Sequence, residues 1–235
     1  MTEANKFRTS SRPEGTRAFL IAKAVFVKDW RGEWRVRAAL NAIALFAIAA
    51  PIALSFSVAR QKLEAETQAG LLWAVLLFAA LVGLSRAFVK EEESGTAHLL
   101  RLSCPPQAVM WGKAAFNLTL LVATQIAAVP IFMILLGAEP FLPGVLLLVL
   151  LLGDIGLASV ATLLGALAAQ TRSRGALFAA IAIPILLPLL VAASEATAVA
   201  LGKPGDVAIP LQMLAAYDAA MLAAAWMLFD FVWAP

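Results

Sequence analysis

Six apolar runs of roughly bilayer-crossing length, joined by short polar connections, constrain this chain more than any other feature. They fall near Ala38–Val58, Gly70–Val89, Ala114–Leu136, Leu142–Ala169, Ala176–Ser194 and Val207–Phe229. About twenty consecutive apolar residues in a helix cross the hydrocarbon core of a membrane. Of the 235 residues, 62% are hydrophobic and 14% charged. Soluble domains carry about 25% charged residues, so a water-soluble fold could not hide this much apolar surface. Backbone groups in lipid must bond internally, which makes each run a helix. The residue alternation of an outer-membrane barrel is missing. The expectation is an all-α polytopic membrane protein with six transmembrane helices.

Basic residues set the orientation. The N-terminal arm holds Lys6, Arg8, Arg12, Arg17, Lys23, Lys28, Arg31, Arg35 and Arg37. The second connection adds Arg86, Lys90, Arg101 and Lys113, and the fourth adds Arg172 and Arg174. The other connections hold only Arg60, Lys62 and Lys203. Both termini and the second connection are therefore expected on the cytoplasmic side. No cleavable leader is expected, because the first 37 residues are polar and basic.

The domain reading has three parts. Residues 1–15 suit a disordered tail. Residues 16–37 place Phe19, Phe26, Trp30 and Trp34 near helical spacing, with Lys23, Arg31 and Arg35 between them. That pattern suits an amphipathic helix at the cytoplasmic membrane surface. Residues 38–235 form the membrane domain. Pro51, Pro130, Pro184 and Pro188 punctuate its spans, and each removes a backbone donor.

Two carboxyls lie inside predicted spans. Val145–Leu164 holds thirteen Val, Leu or Ile residues around Asp154. These supply roughly −4 to −8 kcal/mol toward insertion, against about +3 for one central Asp. Insertion wins, and Asp154 then needs a partner, a proton or a wet cavity. Its functional and structural readings stand level. Asp218, beside the only tyrosine, Tyr217, is read as a structural hydrogen-bonding residue.

Absences narrow the function. The stretch "LGKPG" has Pro204 where a phosphate loop needs Ser or Thr, so the chain is not expected to hydrolyse ATP. The motifs of zinc proteases and serine hydrolases are missing. The single Cys104 excludes an intrachain disulfide, and the single His98 makes a histidine-ligated heme or a catalytic triad poorly served. No covalently bound cofactor is expected.

Residues 88–113, "FVKEEESGTAHLLRLSCPPQAVMWGK", are the longest polar interruption of the membrane part. Glu91, Glu92 and Glu93 suit a helix start, and Ser94 or Thr96 is an alternative N-cap. Leu99, Leu100 and Leu102 give a short helix an apolar face, and Pro105 and Pro106 stop it. Such a helix needs a surface to lie on, either a partner protein or its own membrane domain.

The stretch "LLWAVLLFAALVGLSRAFVKEEESGTAHLLRLSCPPQAVMWGKAAFN" resembles the CcmB family, the membrane subunits of the ABC transporter of cytochrome c maturation. An acidic cluster, Gly-Thr, a leucine-rich helix, a proline turn and Gly-Lys follow one another. "GALAAQTRSRGALFAAIAIPILLPLLVAASEAT" and "LAAYDAAMLAAAWMLFDFVW" resemble the family's fourth connection with its fifth span, and its last span. The likeness covers about residues 20–233. Departures are a longer N-terminal arm, Cys104-Pro105-Pro106 at the turn, His98 where an acid is frequent, and Asp154 where a small residue is expected.

The resemblance implies the type-2 ABC exporter fold, with residues 16–37 as its elbow helix and about Glu91–Leu102 as a coupling helix. The ATPase-coupling residues it implies are Glu91, Glu92, Glu93, Gly95, Thr96, His98, Leu99 and Leu102. It implies a homodimer carried by a separate ATPase, CcmA, in association with CcmC and CcmD and indirectly with the heme chaperone CcmE. The setting it implies is the bacterial inner membrane. Heme would be handled as substrate, with ATP acting only through the partner. The alternatives are a type-2 permease for a drug, lipid or polysaccharide, and a non-transporting scaffold for an ATPase.

Overall fold

A computed structural model describes residues 14–36, 38–58, 62–84, 95–169 and 174–233. Eight helices and no strand occur among them. They are α1 (Glu14–Val36), α2 (Ala38–Val58), α3 (Ala65–Leu84), α4 (Thr96–Ser103), α5 (Pro106–Leu136), α6 (Pro143–Ala169), α7 (Arg174–Ala200) and α8 (Ala208–Trp233). Five of them, α2, α5, α6, α7 and α8, are long and apolar enough to cross a membrane. In α3 the apolar stretch Ala65–Leu81 is shorter. The predicted disordered tail lies outside the described residues, apart from Glu14 and Gly15, which begin α1.

Helix boundaries follow local chemistry, and several differ from the sequence reading. α5 starts at Pro106 rather than Ala114, because Pro is tolerated in a helix's first turn. Its added turns bury Val109, Met110 and Gly112, with α1 packed along this helix. It ends at Gly137, whose φ of 64° suits glycine and whose N–H bonds back to the Met133 carbonyl. α7 continues past Ser194 to Ala200, where the Leu142 N–H bonds to the Ala200 carbonyl at 2.9 Å. α3 opens at Ala65 instead of Gly70, giving Gln68 a place to donate to the Leu136 carbonyl at 3.3 Å. The prolines of α2, α5 and α7 sit within continuous helices.

α6 is the central helix, packed chiefly against α7 and α8 and also against α5. Its glycines make that possible. A methyl group on Gly153 would occupy the space of the Trp73 ring from α3. One on Gly156 would lie 2.6 Å from both Leu189 of α7 and Asp218 of α8. Trp73 itself donates to Thr197 Oγ1 of α7 at 2.9 Å, so one indole joins α3, α6 and α7. Small residues allow such close helix approach, which is how membrane helices gain packing energy without a hydrophobic drive between them. The outer surface is apolar, with Phe56, Ile126, Ile134 and Phe231 among its exposed residues. A continuous coat of this kind fits lipid and would be an aggregation hazard in water.

A second, smaller core gathers at one end. Val25 of α1, Val109 and Met110 of α5, Leu163 and Ala166 of α6, and Ala225, Phe229 and Trp233 of α8 form it. At the other end, Lys203 joins Glu195 at 2.7 Å and Glu66 at 3.5 Å. The hydrogen bond to Glu195 is the main cause holding the Lys203 ammonium above its usual range.

Substituting Gly153→Ala should cost about 1–3 kcal/mol through overpacking against Trp73. Gly144→Ala, where an added methyl meets nothing within 4 Å, should be neutral or slightly stabilising. Thermal unfolding of the two variants in detergent checks this. Equal melting temperatures would contradict the packing of Trp73 on Gly153.

Candidate functional site

The polar interruption in the sequence becomes α4, a rod of eight residues with a non-helical joint at each end. Gly95 is its N-cap, with φ of 69° and no side-chain cap, so Thr96 is not, and Ser94 lies outside the described residues. Thr96 opens the helix instead. Cys104 then turns to extended backbone, its N–H bonded to the Leu100 carbonyl, and Pro105 and Pro106 hand the chain to α5. The double proline thus stops one helix and starts the next. Glu91, Glu92 and Glu93 lie outside the described residues.

Successive residues of a helix step by about 100°, and this splits the predicted leucine face. His98, Leu99 and Leu102 fall on one side and are exposed, Leu99 by 64% and Leu102 by 66%. Leu100, Arg101 and Cys104 fall on the other. Leu100 and Cys104 pack on the small end core. The Arg101 guanidinium lies 4.9 Å from the centre of the Trp233 ring. α4 therefore has a seat on its own membrane domain and keeps two leucines turned away from it. The sequence reading offered a partner surface or a self-packed helix; the inner face of α4 is self-packed, and Leu99 and Leu102 are left uncovered.

Beside this seat, α1 is clamped to α5 by the Gly-Lys pair of the sequence pattern. Lys113 is fully buried and its ammonium lies 3.0 Å from Asp29 Oδ2 of α1. A methyl on Gly112 would sit 2.7 Å from the Ala22 carbonyl oxygen and 2.8 Å from Val25 Cβ. Lys113 counted in the sequence as a flanking positive charge and as part of the Gly-Lys pattern, with no partner foreseen, and Asp29 was not singled out. Their separation of 84 residues hides the pair from any local pattern. On the neighbouring face of α1, about 100° around, Phe26, Trp30 and Trp34 stack in a ladder with centroids 6.4 and 6.1 Å apart. Arg31 and Arg35 are exposed beside them.

Within the bundle, Asp154 meets a partner the sequence reading missed. Gln125 of α5 donates from Nε2 to Asp154 Oδ1 at 2.7 Å. Both residues are buried. Asn117 donates to Thr162 Oγ1 at 3.0 Å two turns away. Each pair stands equally far from the α5–α6 turn on its two helices, so both obey one antiparallel register. Gln125 and Asp154 lie about 16 Å along the helices from that turn, near mid-bilayer depth. Gln125 was legible in principle as a lone amide in an apolar run at the matching distance.

Asp218 behaves differently from its sequence reading. Among the described residues neither of its carboxyl oxygens has a hydrogen-bond partner, although both are buried. The hydrogen bond belongs to Tyr217, which donates to the Ile185 carbonyl at 2.9 Å in the turn before Pro188. Asp154 and Asp218 are not brought together. Asp154 faces α5, whereas Asp218 lies against Gly156, about 200° around α6.

These features define a multi-pass membrane protein with a short helix held at one end of its bundle. Comparison with known proteins gives the family. The family model described as CcmB protein matches residues 20–232, and the chain belongs to that family. It is 32% identical over 166 residues to heme exporter protein B of Rhodobacter capsulatus, covering 69% of this chain and 74% of that one. It is 29% identical over 153 residues to heme exporter protein B of Bradyrhizobium diazoefficiens, covering 62% and 66%.

Asp154→Leu and Gln125→Leu should each cost about 1–3 kcal/mol by leaving one buried polar group unpaired. The double Leu variant should recover part of that loss, giving a coupling energy above about 0.5 kcal/mol in a double-mutant cycle. Strict additivity in denaturant unfolding would show that the two side chains do not interact.

Proposed function

We propose that this chain is the permease subunit of an ABC transporter complex for heme trafficking in cytochrome c biogenesis. Family membership and the heme exporter relatives support the reading. The structural observation that carries it is the outward face of α4, with Leu99 and Leu102 left uncovered. In this reading α4 is the coupling helix. His98, Leu99 and Leu102 meet an ATPase of the CcmA type, while Gly95 and Thr96 set the helix start. The Glu91–Glu93 cluster offers carboxylates to basic groups of the same partner. α1 is the elbow helix on the cytoplasmic membrane surface, and residues 1–13 are a cytoplasmic tail ahead of it.

Six spans with both termini in the cytoplasm belong to the same proposal. Support comes from α3. Its start lies at the Lys203 end of the bundle, where Gln68 reaches Leu136 and Glu66 reaches Lys203. α4, which follows it, lies on the small core at the other end. A chain making that passage crosses the bundle. The end with α4 carries Lys23, Lys28, Arg31 and Arg35 on α1, as the excess of basic residues on cytoplasmic flanks requires.

The complex proposed is a homodimer of this permease with two copies of the ATPase, in the bacterial inner membrane. CcmC and CcmD associate with it, and CcmE receives the heme. This chain is the non-catalytic subunit, and heme is its substrate. ATP hydrolysis by the partner drives either heme export or release of the heme-loaded chaperone. Sealed vesicles separate the two, since only export places heme on the far side without chaperone.

Leu99→Glu with Leu102→Glu should lower ATPase copurification by roughly tenfold or more, because burial of two leucines is worth at least about 1.4 kcal/mol. Holo-cytochrome c, read by heme stain, should fall with it. Charge reversal at Glu91–Glu93 should act in the same direction. Full copurification and normal c-type cytochromes in these variants would overturn the docking role. Normal cytochromes after deletion of the gene would overturn the heme-trafficking reading.

A further inference from the structure

We propose that Arg101 and Trp233 form the link by which displacement of α4 is delivered to the last membrane helix, α8. The inference rests on the docking role of α4 given above and adds the residues that pass its motion inward.

α4 is built to move as one piece. Its eight residues lie between Gly95, at φ 69°, and the extended Cys104–Pro105 segment. Its inner face sets Leu100 and Cys104 on the end core and Arg101 over Trp233 at 4.9 Å. A force applied at Leu99 and Leu102 leaves through that face, because the two sets lie on opposite sides of one short helix.

The receiving end is packed into the end core. Trp233 is 2% exposed and stacks on Phe229, with ring centroids 5.8 Å apart. The two rings are four residues apart on α8, so they share one helix face. The stack restrains the Trp233 ring, and a push on the indole moves the helix rather than a side-chain rotamer. A guanidinium over an indole is a directional contact that survives partial exclusion of water. Further along α8, Tyr217 is bonded to α7 and Asp218 rests against Gly156 of α6. A shift of α8 therefore reaches the middle of the bundle. Arg101 and Trp233 are positioning residues, since neither faces the proposed ATPase surface.

The experiment uses the full complex, with permease amount normalised by immunoblot of membranes. Arg101→Gln and Trp233→Leu should leave ATPase copurification within about twofold of wild type, yet lower holo-cytochrome c about fivefold or more, the scale of one lost cation–π contact. Trp233→Phe, which keeps a ring under the guanidinium, should retain most of the activity. Wild-type cytochrome levels in Arg101→Gln and Trp233→Leu would overturn the link. Loss of copurification in these variants would overturn it too, by making Arg101 part of the docking surface. Should Arg101→Gln fail to accumulate, Arg101→Lys and Arg101→Met decide: the link requires Lys to exceed Met in cytochrome yield, and equal yields refute it. The docking role itself is tested separately by the Leu99 and Leu102 variants. Their failure to release the ATPase would overturn that role, whatever Arg101 does.

Discussion

The antiparallel seam between α5 and α6 is the constraint on which the rest of the bundle depends. Two buried polar pairs, Asn117–Thr162 and Gln125–Asp154, cross it at one register. In an apolar surrounding, a slip of one helix along the other would leave four polar side chains without these partners. Once α6 is placed, its glycines admit Trp73 on one side and Asp218 with Leu189 on another. α3, α7 and α8 then take their positions around it. Dispersion supplies much of the cohesion, and the polar pairs choose among otherwise similar apolar packings.

The end bearing α4 is held by different physics. There a small apolar core is flanked by a buried ion pair, Asp29–Lys113, and by a cation over an aromatic ring, Arg101–Trp233. Breaking a buried ion pair by removing one partner is costly, on the order of 3–5 kcal/mol. The ion pair fastens α1 to α5, and α4 rests on the same end core through Leu100, Cys104 and Arg101.

The sequence made the helices legible because apolar runs and proline or glycine stops are local signals. α2 was placed to the residue, and the double proline after α4 read correctly as a stop. Errors came where tertiary contacts outweighed hydropathy. α5 reaches back to Pro106 because α1 covers a turn that looked like connection. Asp218 was given a hydrogen bond that its neighbour Tyr217 makes. Gly153 and Gly156 are local signals of close helix packing, but which neighbour a glycine meets across an interface is unreadable from spacing.

By itself the sequence determined that this chain is a helical membrane protein, through apolar length, and which segment could serve a partner, through an acidic start, a leucine cluster and a proline stop. The tertiary structure decided which leucines face outward, which cation is buried and which amide meets Asp154. The reason is physical. Insertion into lipid depends on the summed hydrophobicity of each segment, a property of local sequence. Pairing depends on which faces of distant segments meet, and that is settled only when the helices pack.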